Sequence, residues 1–351
     1  MSRIEKLLQQ AATEGVFSCA AYAVGTPEEI IEKGSVGNLG IGRGPANTDT
    51  MYDMASVTKI MVAMAFMKLF ESGKVCLDDT VADFLPEYKN NNKATMTIRE
   101  LLTHTSALHG QVPLFRSAHT KEDLLESIHS LPPRPSGTVE YSSQGMIVLG
   151  QIMESIEGKP LDLILQENLF DPLHMKRSMY NPPKDLFDNI ASTEDCPWRG
   201  HIIIGQVHDE NAVIMGGVAG HAGVFSTADD MIRLAQAMLS GRTPDGNIYL
   251  HDATRSLMTK NHTHGMNLAR GLGWQCKDEK ASPFGDLFSD ASYGHTGFTG
   301  TGVFIDPTQR LFTVLLTNRV HPSRDGNGII HLRHVFNNLS VLTVEDKRRN
   351  H

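Results

Sequence analysis

Ile60 to Met67 reads Ile-Met-Val-Ala-Met-Ala-Phe-Met, eight apolar residues inside a segment, Ser56 to Leu69, that reads as a helix. A helix that is apolar on every face has no side to offer water, so it must be enclosed by other elements. It is too short for a bilayer, which needs roughly 20 apolar residues. Gly73 is placed to end it. The 351-residue chain is long enough to build such an enclosure without disulfides, and its length suggests roughly two domains.

The two ends of the chain supply strand patterns. Ser18 to Gly25 and Glu29 to Val36 read as an antiparallel hairpin around Gly25-Thr26-Pro27. Gly300 to Ile305 and Leu311 to Thr317 read as strands joined by the turn Asp306-Pro-Thr-Gln309. Helical patterns flank them: Ile4, Leu7 and Leu8 recur at helical spacing, and Ile329 to Leu342 is amphipathic. Between about 75 and 264 the chain is mainly helical. Its clearest pieces are Ile98–Leu102, Lys121–Ser130, Met146–Ile156, Leu161–Leu169 and Ala228–Leu239, the last opened by a capping-box pattern from Thr227 to Asp230. The expected fold is α+β: an antiparallel sheet flanked by N- and C-terminal helices, with an inserted mainly helical domain. The sheet domain is discontinuous, residues 1–75 and 265–351, and the helical domain spans 76–264. Gly200 to Gly223 shows no period and is expected to be a long functional loop.

Composition removes several function classes. A formal charge of −8 argues against a nucleic-acid partner. Cys19, Cys76, Cys196 and Cys276 form no C-x-x-C pair, which excludes zinc-ribbon and thioredoxin readings. The first fifteen residues lack the apolar core of a signal peptide, so no membrane span and a cytoplasmic setting are expected. Sixteen histidines invite a metal hypothesis.

Chemistry is suggested first by Ser56-Val-Thr-Lys59. Residues three apart share a helix face. A serine hydroxyl is a weak nucleophile until a base takes its proton, and a lysine in an apolar setting can supply that base, because burial disfavours its charged form. A helix N-terminus also aims N–H groups at a developing oxyanion. The competing reading makes Ser56 a helix cap and Lys59 a solvated residue. Two later segments weigh against it: Tyr141-Ser-Ser143, presented by the turn Pro135-Ser-Gly-Thr138, and His295-Thr-Gly297 on or beside a strand. The order S-x-x-K, Y-S-x, H-T-G parallels the motif set of serine β-lactamases and penicillin-binding proteins.

The chain resembles the serine β-lactamase-like family of class C β-lactamases, D-alanyl-D-alanine carboxypeptidases, D-aminopeptidases and family VIII carboxylesterases. The resemblance extends from Met51 to Lys59 through Thr97-Ile-Arg-Glu-Leu-Leu-Thr-His-Thr-Ser106, Pro135 to Ser143, Phe170 to Met175 and Gly216 to Thr227. It implies a β-lactamase/transpeptidase-like fold and a serine hydrolase that forms an acyl-enzyme on Ser56. It implies that Lys59 and Tyr141 share the role of base. The oxyanion would lie between the N–H groups of Ser56 and Phe298. His295 would stand beside the pocket to bind a carboxylate or assist proton transfer, and Ser143, Thr296 and Gly297 would contact substrate. Two departures bear on substrate. Ser143 stands where relatives acting on β-lactams often carry asparagine, and His295 where class C enzymes carry lysine. Both favour a carboxylesterase or D-specific peptidase over a β-lactamase, with a non-catalytic peptide sensor as the binding-protein alternative. The expected partner is a small ester, amide or short peptide, with no cofactor and no metal.

The remaining candidates have milder readings. His104 is expected to be a hydrogen-bonded structural residue. His208, Asp209 and His221 are metal-ligand types in the glycine-rich loop, which the resemblance instead sets at the pocket rim. The pairs His262/His264 and His331/His334 are expected in solvent, Met61, Met64 and Met67 in the core, and Trp198 and Trp274 in core or pocket wall.

Overall fold

In the computed structural model, the described residues are 1–135, 137–278 and 282–349; Ser136 of the expected Pro135–Thr138 turn lies outside them. The apolar segment lies at the centre. Helix Thr58–Glu71 is buried without a break from Thr58 to Met67. A 3₁₀ turn, Ala55–Val57, precedes it, and Ser72 ends it, with Gly73 following at φ +75°.

One side of this helix meets a six-stranded antiparallel sheet. Its strands are β1 (Cys19–Gly25), β2 (Ile30–Gly37), β3 (Gln275–Cys276), β4 (Tyr293–Thr296), β5 (Gly302–Asp306) and β6 (Leu311–Thr317). The order is β2-β1-β6-β5-β4-β3, so the N-terminal hairpin joins the C-terminal strands through β1 and β6, in register from Ala20↔Thr317 to Gly25↔Phe312. Alternation along the strands divides the side chains. Ala21, Ala23, Val303, Ile305, Val314 and Leu316 lie under helix Ala228–Ser240, in one cluster with the central helix and the other helices of residues 76–264. Ala20, Tyr22, Val24, Phe304 and Leu315 face the other way, under helices Arg3–Thr13 and Ile329–Arg349. Both faces are covered, which is why β1 and β6 are mostly apolar and buried at every position, the two threonines of β6 bonding to Asn337 and Gly300 O.

Several boundaries differ from the sequence expectation for local reasons. Helix Ser143–Glu157 starts three residues before Met146, because Ser142 caps it by accepting the Gly145 N–H. After Leu161–Leu165 the chain widens into a π turn, Gln166–Phe170. The C-terminal helix runs past Leu342 to Arg349. Thr227 caps helix Ala228–Ser240, but the reciprocal half of the box is absent: the Asp230 carboxylate instead accepts the Arg177 N–H and the Ser178 hydroxyl. Gly200 to Gly223 is not a plain loop. It contains a strand, His201–Ile202, paired with Asp195–Cys196, and a helix, Glu210–Ile214, capped by Asp209.

Asn318, just beyond β6, ties three segments together. Its Oδ1 accepts the Ser18 and Cys19 N–H groups, and its Nδ2 donates to Ser18 Oγ, Leu39 O and Ser192 O. The side chain is buried, so truncation strands backbone groups away from water. We expect Asn318→Ala to lower stability by about 2–3 kcal/mol in urea denaturation; a loss below about 0.5 kcal/mol would show that water replaces the amide.

Candidate active site

The 3₁₀ turn places Ser56 at the head of the central helix. In 3₁₀ geometry residues i and i+3 nearly eclipse, and Lys59 Nζ lies 3.0 Å from Ser56 Oγ. Lys59 is fully buried. Its Nζ also donates to His221 O at 2.9 Å and stands 4.9 Å above the Tyr141 ring. The residue before the serine is strained: Ala55 has φ +45°, a region non-glycine residues avoid. Buried Asp53 holds it there. Oδ1 accepts the Ala55 N–H at 2.8 Å and Oδ2 the His208 N–H at 2.6 Å.

Strand β4 and the turn after it are fastened to the same backbone. Thr299 Oγ1 donates to Asp53 O at 2.7 Å and Thr301 Oγ1 to Met54 O at 3.0 Å. Gly297 permits this approach, since a Cβ there would lie 2.6 Å from Met54 O. The His295-Thr-Gly297 segment is thereby set against the Ser56 turn. Among the described residues, neither the Ser56 nor the Phe298 backbone N–H has an acceptor, which leaves both available for an oxyanion.

Ser56, Tyr141, Ser143, His295, Thr296, Gly297 and Phe298 line one cavity of about 610 Å³. Lys59 lies beneath it, and each sequence candidate for catalysis or substrate contact is therefore at this site. Tyr141 is held from several sides. His104 Nδ1 accepts the Ser142 N–H at 3.2 Å, and His104 O accepts the Glu140 N–H at 2.9 Å, so the loop around Tyr141 hangs on His104. The His104 ring centroid is 4.8 Å from that of Tyr141, and the His295 ring 5.8 Å. Arg270 Cζ lies 5.4 Å over the Tyr141 ring. Tyr141 Oη is buried and has no partner among the described residues. Ser143 Oγ accepts from Gln111 Nε2 at 3.2 Å.

Backbone partners fix the histidine tautomers. Nδ1 of His295 faces Thr296 O at 2.9 Å. A carbonyl only accepts, so the proton is on Nδ1 and Nε2 presents a lone pair. Burial, then Lys59 and Arg270, push the His295 pKa down to about 3. His104 is the reverse tautomer, with Nε2 protonated, and is likewise pushed well below its usual range by burial and by Arg270 and Lys59. Neither imidazole is a cation near neutral pH.

The loop histidines form separate pairs. His208 Nε2 meets Glu194 at 3.1 Å, and His221 Nε2 meets Asp209 at 2.9 Å. Burial opposes the Glu194 charge, but His208 and Arg324 hold the carboxyl at about 2. Asp209 is held well below the usual carboxylate range, chiefly by His221 against the cost of burial. Among the described residues, no three His, Cys, Asp or Glu side chains converge as metal ligands. Phe298 is half exposed. It stacks on His208 at 5.7 Å and lies under Arg319, whose Cζ is 4.3 Å from its ring centre. Trp274 is core, edge-on to Tyr293. Trp198 is not in the core: it is 48% exposed and leans on Phe115, because it sits on the short surface hairpin at 195–202. His264 and His331 are exposed, while His334 is half-buried and half-buried His262 bonds Leu257 O, contrary to the expectation of solvent for both.

Sequence reasoning missed Arg270, Gln111 and Arg324 in the cavity wall. None belongs to a motif. Among the described residues, no helix is long and apolar enough to cross a membrane.

The Beta-lactamase family model matches residues 4–336. An N-acetylmuramyl-L-alanine amidase of Bacillus subtilis (strain 168) is 32% identical, over 92% of this chain and 81% of the relative. A protein of Escherichia coli (strain K12), provisionally named a D-alanyl-D-alanine carboxypeptidase, is 34% identical over 79% of this chain and 70% of the relative. The solved structure of EstCE1, a hydrolase with promiscuous acyltransferase activity, superposes with a TM-score of 0.75, covering 95% of this chain and 97% of that one at 22% identity.

The His295 tautomer predicts a pH dependence of stability. In the unfolded chain this histidine titrates near its ordinary 6.5, and in the folded chain near 3. Between those values the unfolded chain binds the extra proton, so stability is full above the upper value and falls as pH drops towards the lower. Asparagine keeps a donor for Thr296 O and removes the titration. The drop in Tm from pH 7 to about 4.5 should be smaller in His295→Asn than in the parent; an equal drop would contradict the assignment.

Proposed function

The chain belongs to the Beta-lactamase family, and we propose that it cleaves an ester or amide through an acyl-enzyme on Ser56. The observation that carries this reading is Lys59, wholly buried, with Nζ 3.0 Å from Ser56 Oγ and directly under Tyr141.

Attack on the substrate carbonyl forms the Oγ–C bond while the hydroxyl proton passes to the Lys59–Tyr141 pair. The base is assigned to the pair, since Lys59 Nζ stands both beside Ser56 Oγ and over the Tyr141 ring. The oxyanion is stabilised by the N–H groups of Ser56 and Phe298, whose positions are set before substrate arrives, so no reorganisation is needed at the transition state. Collapse breaks the C–O or C–N bond, and the proton returns through Tyr141 to the leaving oxygen or nitrogen. Water then releases the acyl group by the same path in reverse. His295, neutral and with a lone pair on Nε2, acts as a proton acceptor from Tyr141 or substrate, not as a cation.

The substrate class we favour is a carboxylester or a short D-configured peptide, with Thr296, Gly297 and Ser143 lining the contact surface. Ser143 is short and carries no amide, which supports this ordering over a β-lactam; its hydroxyl accepts from Gln111 and keeps its own proton to donate. A purely binding role fits poorly, since burying a lysine against a serine is costly and serves no recognition purpose.

Exposure to a fluorophosphonate should add one adduct to the intact mass, and Ser56→Ala should abolish it. Lys59→Ala and Tyr141→Phe should each reduce kcat/KM for p-nitrophenyl butyrate by about 10²–10⁴. An equal adduct on Ser56→Ala would refute the reading. Fast nitrocefin turnover with poor ester turnover would reverse the substrate ordering.

A further inference from the structure

Arg333 stands on the C-terminal helix Ile329–Arg349 and is buried. Among the described residues its side chain donates to two carbonyls and pairs with no carboxylate: Nη2 lies 3.0 Å from Thr301 O and 3.2 Å from Gly297 O, and Nε is buried without a partner. Burial, then Arg319, push its pKa down to about 10, so it remains a cation near neutral pH. Such a charge is a poor device for stability, because a neutral donor could serve a carbonyl without the cost of desolvating a guanidinium. Arg134, buried to a similar degree, has the Glu140 carboxylate 3.8 Å away.

The two carbonyls are the ends of the turn that follows β4. The Gly297 N–H donates to Thr301 O at 2.8 Å and the Gly300 N–H to Gly297 O at 3.1 Å, so Arg333 fills the second acceptor place on each oxygen. Gly297 O belongs to the same peptide unit as the Phe298 N–H. That unit is trans, so its C=O and N–H share a plane and point in opposite directions. Whatever holds Gly297 O therefore aims the Phe298 N–H, which has no acceptor among the described residues and belongs to a residue lining the Ser56 cavity.

We infer that Arg333 is a positioning residue for the oxyanion: from outside the cavity it fixes the Gly297–Phe298 peptide, and its charge polarises the N–H of that peptide. This rests on the reading that Ser56 is the nucleophile and that the Phe298 N–H receives the oxyanion. A cation on the carbonyl draws electron density from the amide nitrogen, so the N–H becomes a stronger donor. The guanidinium also sets a fixed positive charge behind that N–H, in an interior that screens charge weakly. Both effects are small on a neutral ester carbonyl and large on the alkoxide formed from it. They therefore act on kcat more than on KM.

Arg333→Gln keeps a donor without the charge, and Arg333→Lys keeps the charge. With p-nitrophenyl butyrate, Arg333→Gln should lower kcat by about 10–100-fold, with KM within about twofold of the parent. Arg333→Lys should recover at least about tenfold of that loss. An alkyl trifluoromethyl ketone, whose carbonyl takes up Ser56 Oγ to leave an oxyanion, reports the same interaction without turnover. In each variant that folds, its Ki should rise by the factor by which kcat/KM falls. An unchanged kcat in Arg333→Gln, a loss carried by KM, a lysine variant no better than the glutamine one, or a Ki that does not follow kcat/KM would each overturn the proposal. Should Arg333→Gln fail to fold, the Ki comparison in Arg333→Lys decides. Ser56→Ala is the separate control: if it still turns over the ester, the nucleophile assignment fails, and if it is inactive while Arg333→Gln keeps the parent kcat, only the Arg333 assignment fails.

Discussion

The structure depends on keeping one lysine inside an apolar helix bundle. Lys59 sits at the second position of a helix whose next eight residues are apolar and buried, and desolvating an ammonium there is expensive. Three neighbours offset it: the Ser56 hydroxyl, the His221 carbonyl and the Tyr141 ring. The carbonyl gives Nζ a second acceptor, 2.9 Å away, from a segment remote in sequence from the serine. It is presented by a segment that is itself held by charge: the His221 ring pairs with Asp209, and Asp209 caps the helix Glu210–Ile214. The glycine-rich stretch thus supports Lys59 as well as bordering the cavity.

The second constraint is that the Ser56 turn and strand β4 come from parts of the chain about 240 residues apart and must meet within hydrogen-bond distance. Pairing β1 with β6 closes the sheet across that separation, and β5 then carries β4 to the head of the central helix. Thr299 and Thr301 complete the junction on the carbonyls of Asp53 and Met54, beside the strained Ala55. Strain of this kind costs roughly 1–3 kcal/mol and persists only where surrounding bonds over-determine it. Here the Asp53 carboxylate, bonded to both Ala55 and His208, and the two threonines do so. A Cβ at Gly297 would break the junction, which explains glycine at that place better than any need for an unusual dihedral.

Much of this was legible in the sequence because it is local or periodic. The all-apolar run announced a buried helix, strand patterns at both ends announced a shared sheet, and three spaced motifs gave Ser56, Lys59, Tyr141 and His295. What escaped has identifiable physics. The five-residue helix at 210–214 is too short to show a period, and it is stabilised by the Asp209 cap and its packing. Asp230 fits a capping pattern, but two tertiary donors claim its carboxylate. Trp198 reads as core or pocket wall by type, and a surface hairpin places it in the wall of a surface pocket and not in the core. Arg270 was invisible, because a guanidinium becomes informative only when it is both buried and without an acceptor, and neither property is written in neighbouring residues.

The charge distribution in the cavity follows from these details. Lysine in the third motif would place a permanent positive charge on β4, whereas His295 donates its only ring proton to Thr296 O and is driven neutral by burial and by Lys59 and Arg270. Charge and proton acceptance are therefore divided between two residues. Arg270, on the segment leading into β3, supplies the fixed positive field, and His295 supplies a lone pair that the same field keeps unprotonated. The division also affects Tyr141, which lies between them with cations over its ring from both Lys59 and Arg270.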